Sequence, residues 1–84
     1  MIRLTKVETR ANYRLYVEFA DGLAGEIDMT STLWGPMFEP LKDEAFFRQV
    51  KLESGVPSWP NGADVAPDAL YAELNTNHQV NGPA

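Results

Sequence analysis

Residues Tyr13 to Phe19 constrain the architecture of this chain more than any other stretch. Tyr13, Leu15, Val17 and Phe19 alternate with Arg14, Tyr16 and Glu18, the period of a strand with one buried face. Ala20-Asp21-Gly22 follows, and then a further run from Leu23 to Asp28. A two-residue loop at Asp21-Gly22 would set Phe19 against Ala24 and Val17 against Glu26, placing a carboxylate on the apolar face. A three-residue loop instead pairs Phe19 with Leu23, Val17 with Gly25, Leu15 with Ile27 and Tyr13 with Met29. Only this register keeps the face apolar. It also puts Gly22 third in the loop, where the backbone turns left-handed. On the opposite face it sets Arg14 across from Asp28 and Tyr16 across from Glu26.

A preceding strand is expected over Ile2 to Thr9, its apolar phase switching between Leu4 and Val7, as a bulge or burial on both faces would explain, with Arg10-Ala11-Asn12 as the turn. Past Met29 the period of two ends. Thr30 to Pro36 predicts at most one helical turn closed by Gly35-Pro36. Trp34, Met37, Phe38 and Leu41 are expected to pack over the sheet edge or an open end of the core. Asp43 can cap a helix over Glu44 to Gln49, with Phe46 and Val50 one turn apart. Val50–Glu53 and Val56–Trp59 predict a second hairpin around Ser54-Gly55, pairing Val50 with Trp59 and Leu52 with Pro57. Pro57, which lacks an amide donor, places that strand at an edge. Trp59-Pro60-Asn61-Gly62 is a tight turn. A helix from about Pro67 to Asn75 follows, with proline at its first position and Leu70, Tyr71 and Leu74 inward. The expected fold is α+β: a small antiparallel sheet of two hairpin units, about five short strands, with two short helices packed on it. One domain spans 1–75, and 76–84 is a polar, flexible tail.

Composition limits the chemistry. The chain has 84 residues, no cysteine and a net charge of −5, so thiolate metal sites, disulfides and cysteine nucleophiles are absent. No apolar run is long enough to cross a membrane, and no signal-peptide pattern opens the chain. These features predict a cytoplasmic protein that does not engage membranes. Residues 1–14 carry four basic groups and one acidic, net +3; residues 15–84 carry three basic and eleven acidic, net −8. A dominant acidic field opposes direct nucleic-acid binding.

The ordered segments Tyr13 to Gly22, Glu26-Ile27-Asp28, Phe38 to Asp43, Phe46-Phe47, Trp59 to Asp64 and Pro67 to Tyr71 resemble the bacterial domain-of-unknown-function 2442 family up to about Asn75. The resemblance implies a small α+β domain with a curved antiparallel sheet and helical cover. Members of that family occur alone or fused ahead of a helix-turn-helix domain, and some stand beside small toxin-like proteins. It supplies no catalytic residue. These 84 residues hold no additional helical domain, so sequence-specific DNA reading is not expected.

Candidate sites follow from residue chemistry. Trp34, Phe38, Trp59, Asn61, Asp64 and Tyr71 are the candidates for an interaction surface with a protein partner or a second copy. Each also has a structural reading: Trp34 and Phe38 as core, Trp59 as a strand-end core residue, Asn61 as a turn residue and Asp64 as a bonder of backbone donors before the last helix. The structural readings are preferred. Arg3, Lys6, Arg10 and Arg14 are the alternative candidates, for nucleic-acid phosphates, but strand alternation does not put all four on one face. Asp64 with Asp68, and Glu39 with Asp43 and Glu44, read as solvated helix-start carboxylates rather than cation ligands. His78, the single histidine, lies in the expected tail, and none of Ser31, Ser54 or Ser58 sits in a nucleophile elbow. The glycines form no phosphate-cradling loop. The expectation is therefore a non-catalytic interaction or regulatory module without metal or cofactor. An antitoxin-like role beside a small toxin-like protein is one form of it. A nucleic-acid accessory is the alternative, and a small enzyme the third reading.

Overall fold

The computed structural model describes residues 2–80, with side chains through residue 76. Three strands, β1 (Leu4–Arg10), β2 (Arg14–Phe19) and β3 (Ala24–Asp28), form one antiparallel sheet in the order β1-β2-β3. Leu15 pairs with Ile27, Val17 with Gly25 and Tyr16 with Glu26, the register of the three-residue loop. The Phe19 amide donates to the Leu23 carbonyl at 2.8 Å and Gly22 has φ +97°, so the loop closes as the hydrophobic pattern requires. Of the two explanations for the phase switch in β1, the structure has the bulge, between Leu4 and Lys6. The β1–β2 turn comprises residues 11–13, and Tyr13, expected to begin the strand, is left-handed at φ 59° beside Asn12 at 64°. That turn carries the Tyr13 ring toward the crossing segment, residues 29–47 between the two hairpins, where its hydroxyl donates to the Lys42 carbonyl and its ring meets Phe47 edge-on at 5.4 Å.

The crossing segment is more helical than the sequence suggests. It holds a 3₁₀ turn at Thr30–Thr32, α1 (Gly35–Phe38), a second 3₁₀ turn at Glu39–Lys42 and α2 (Glu44–Phe47). Gly35-Pro36 opens a turn instead of closing one, because proline in the first turn of α1 lacks only a donor that would have had no partner. Asp43 caps α2 as expected, its Oδ1 accepting from the Ala45 amide at 3.0 Å. α2 is shorter than expected and turns Phe47, not Phe46, fully inward.

The second hairpin, β4 (Lys51–Glu53) and β5 (Val56–Ser58), has the expected register, with Leu52 opposite Pro57. Ser54 (φ 53°) and Gly55 (φ 80°) make its two-residue turn. It forms its own two-stranded sheet and docks on β1 through the Leu4 amide, which donates to the Gly55 carbonyl at 3.0 Å. After the Trp59–Gly62 turn, α3 runs Pro67–Val80. It extends past the expected end at Asn75 because no glycine or proline interrupts residues 76–80. Of the expected tail, residues 81–84 lie outside the described residues.

Leu15, Val17, Ile27, Met29, Leu41, Phe47 and Trp59 form the centre of the core, and Leu70 and Leu74 of α3 close it. α3 packs against β3, the outer strand of the sheet.

Candidate interaction surface

Trp34 and Met37 overturn the expectation that this segment is core: they are 72% and 46% exposed. The cause is local. Leu33 takes the buried position and Trp34 is extended (φ −140°, ψ 162°), so the adjacent side chain points the other way. Gly35 then reverses the chain at φ +84°, a conformation that a residue with a Cβ adopts at a cost. Trp34, Pro36, Met37 and half-buried Phe38 border a shallow apolar cleft of about 270 Å³.

Asn61 belongs to this lip although it lies 24 residues away: its Nδ2 donates to the Met37 carbonyl at 2.9 Å. Its Oδ1 accepts from the Ala63 amide at 3.1 Å, so one side chain ties the Trp59–Gly62 turn to α1. Gly62 faces the Met37 methyl, with room for a contact of 3.6 Å had it a Cβ. The lip is thus braced from a second element.

The other interaction candidates lie elsewhere. Trp59 is 3% exposed, stacks on Phe47 at 6.0 Å and donates its indole N–H to the Phe47 carbonyl at 2.8 Å; it is a core residue. Asp64 is exposed and bridges Ser58 through its backbone; the expected side-chain bonds to donors ahead of α3 are not formed among the described residues. Tyr71 lies at a separate cleft of about 380 Å³ with Ile2, Arg3, Phe19, Ala20 and Asp21. Its ring meets Phe19 edge-on at 5.0 Å and its hydroxyl donates to Asp21 Oδ2 at 2.5 Å. This bond, together with the Leu23 amide, holds the Asp21 carboxyl below its ordinary pKa, and the same carboxylate raises that of Tyr71. Sequence reading missed Asp21 as a partner because the two residues are separated by 50 positions.

The basic candidates divide as strand alternation requires. Lys6, Arg10 and Arg14 share the outward face of the three-stranded sheet with Glu8, Glu18, Glu26 and Asp28. Glu8 pairs with Lys6 at 3.1 Å and Arg10 at 2.5 Å, and Glu26 with Arg14 at 3.6 Å and Arg10 at 3.7 Å. Arg14 therefore leans diagonally to Glu26 instead of straight across to Asp28, whose carboxylate accepts from the Thr30 amide and hydroxyl. Arg10 also lies 4.9 Å from the centre of the Tyr16 ring. Three cations against four carboxylates leave this face nearly neutral, a poor field for phosphates. Arg3 lies apart, over Gly55.

Among the described residues no three Asp, Glu or His side chains gather as a metal site, and no helix is long and apolar enough to cross a membrane. Glu39 faces Lys42 at 3.6 Å. The side chain of His78 lies outside the described residues.

The sequence profile of a family described as "Protein of unknown function (DUF2442)" matches residues 4–76. No curated protein and no solved structure matches the chain.

Proposed function

The chain belongs to the DUF2442 family, and from that premise we propose that it is a non-catalytic protein-interaction module whose contact surface is the Trp34–Phe38 lip. The observation that carries this reading is Trp34, a large aromatic side chain 72% exposed on a short braced turn. An exposed Trp with Met and Pro beside it is the composition of an interface anchor. Burying it against a partner is worth on the order of 2 to 3 kcal/mol. Bracing by Asn61 lowers the ordering cost of binding.

The partner that fits is a small basic protein with an apolar pocket, since the chain carries −5 overall and −8 over residues 15–84. A toxin-like neighbour of the kind the family resemblance implies would meet that description, and the chain would then act as its antitoxin-like regulator. The test is co-expression with the product of an adjacent gene for such a protein. Co-elution at micromolar concentration is expected, with Trp34→Ala weakening the complex by about 2 kcal/mol, roughly 30-fold. Separate elution of the wild-type pair would contradict the reading.

A further inference from the structure

We infer that the outer edge of β3 is a strand-acceptor site, which takes an extended segment of a partner protein as a fourth strand and selects one with cationic residues at alternate positions. The proposal rests on the preceding one only in taking a protein as the partner; the site itself is separate from the lip.

The two flanks of the three-stranded sheet are not equivalent. β1 is flanked by the second hairpin, joined at Leu4 and Gly55. β3 ends the sheet. Phe19 and Leu23 are bonded across the strands, as are Met29 and Tyr13, so the odd-numbered residues of β3 direct their backbone groups to β2. Ala24, Glu26 and Asp28 direct theirs away from it. No described residue bonds those outward N–H and C=O groups. The edge is also held in place from the core side: a Leu74 methyl of α3 sits 2.8 Å from where a Cβ of residue 25 would be. β3 carries neither proline nor bulge, two devices that blunt an open edge.

Charge decides what pairs there: the face as a whole is nearly neutral, with Glu26 facing Arg10 and Arg14 across the sheet at 3.7 and 3.6 Å, but along β3 itself the outward charges, Glu26 and Asp28, are both acidic. In a symmetric antiparallel pairing of two copies centred on Glu26, that residue would oppose itself; centred on Ile27, Glu26 would oppose Asp28. Like charges directly opposite destabilise a sheet, and opposite charges stabilise it. A partner strand with Lys or Arg facing Glu26 and Asp28, and apolar residues between them on the core side, satisfies both faces.

The probe is the peptide acetyl-Lys-Val-Lys-Val-Lys-Val-amide, with the matching Glu-Val peptide as control, followed by residue-resolved amide hydrogen exchange on the full chain. In the free protein, Ala24, Glu26 and Asp28 should exchange rapidly while Gly25 and Ile27 are protected. Saturating Lys-Val peptide should slow exchange at Ala24, Glu26 and Asp28 by about tenfold or more. Ala24→Pro should abolish that slowing, because it removes an outward donor while leaving the β2 pairing, as retained protection of Gly25 and Ile27 will show. Glu26→Lys should transfer the preference to the Glu-Val peptide. Trp34→Ala should change none of this, which separates failure of the edge from failure of the lip. Protection of the three outward amides in the free protein, no slowing with peptide, or equal slowing by both peptides would overturn the proposal.

Discussion

The two tryptophans have opposite roles. Trp59 is enclosed, with its indole N–H satisfied by the Phe47 carbonyl, whereas Trp34 is exposed. Trp59→Phe leaves a buried acceptor without its donor and a void beside Phe47, so urea unfolding should show a loss of roughly 2 to 3 kcal/mol. Trp34→Ala should stay within about 0.5 kcal/mol of wild type in the same assay. The hairpin register marks Trp59 as inward, but no period fixes the face of Trp34, which residue type alone would place in the core. The difference arises at Leu33, which fills the buried position and turns Trp34 outward. Asp21 and Tyr71 give a second residue-scale expectation. The Asp21 carboxyl is held below its ordinary value by the Tyr71 hydroxyl and then by the Leu23 amide. It therefore contributes stability that is present above the unfolded carboxylate pKa, about 4, and lost as pH falls through the lower folded value. Tyr71 is raised by the same bond; its contribution is present below the unfolded tyrosine pKa, about 10, and lost as pH rises through the higher folded value. Tyr71→Phe should flatten both limbs of the stability–pH curve measured by urea unfolding, and unchanged limbs would refute the assignment.

The hairpins and the Asp43 cap of α2 were legible in the sequence, and the rest of the crossing segment was not. In β2–β3 and β4–β5 the constraint is local: a one-residue slip exposes every apolar side chain, and Gly22 and Gly55 mark the turns. Residues 29–47 have no such period. Their conformation is set by distant contacts, such as the Tyr13 hydroxyl on the Lys42 carbonyl and Asn61 on the Met37 carbonyl. Those bonds fasten the segment to the β1–β2 turn and to the Trp59–Gly62 turn, contacts that no local period announces. The contact between β3 and α3 is testable as a pair. A Cβ at position 25 would lie 2.8 Å from a Leu74 methyl, the end of a flexible but buried side chain, so Gly25→Ala should cost about 1 kcal/mol. With Leu74→Ala already present, that cost should largely vanish, giving a coupling of at least about 0.5 kcal/mol in a double-mutant cycle. Additive effects would mean the two elements do not press on one another.

The whole molecule separates its paired charges from its exposed apolar side chains more cleanly than its composition suggests. Its basic N-terminal stretch is taken up in ion pairs on the outward sheet face, with Arg3 apart, while the most exposed large apolar side chain among the described residues stands on the crossing segment. The sequence supplied both lists of candidates but not which members meet: of the interaction candidates only Trp34, Phe38 and Asn61 come together. Long-range tertiary placement, not residue type, selects them. Burial of Trp34 by a protein partner is read directly by acrylamide quenching of tryptophan fluorescence. In the free protein one tryptophan should be readily quenched and the other, Trp59, protected. In a complex with a basic partner protein of the proposed kind, free of tryptophan or with its own tryptophans replaced, both should be protected and the emission should shift to shorter wavelength. A stable complex in which Trp34 remains as quenchable as in the free chain would contradict the claim.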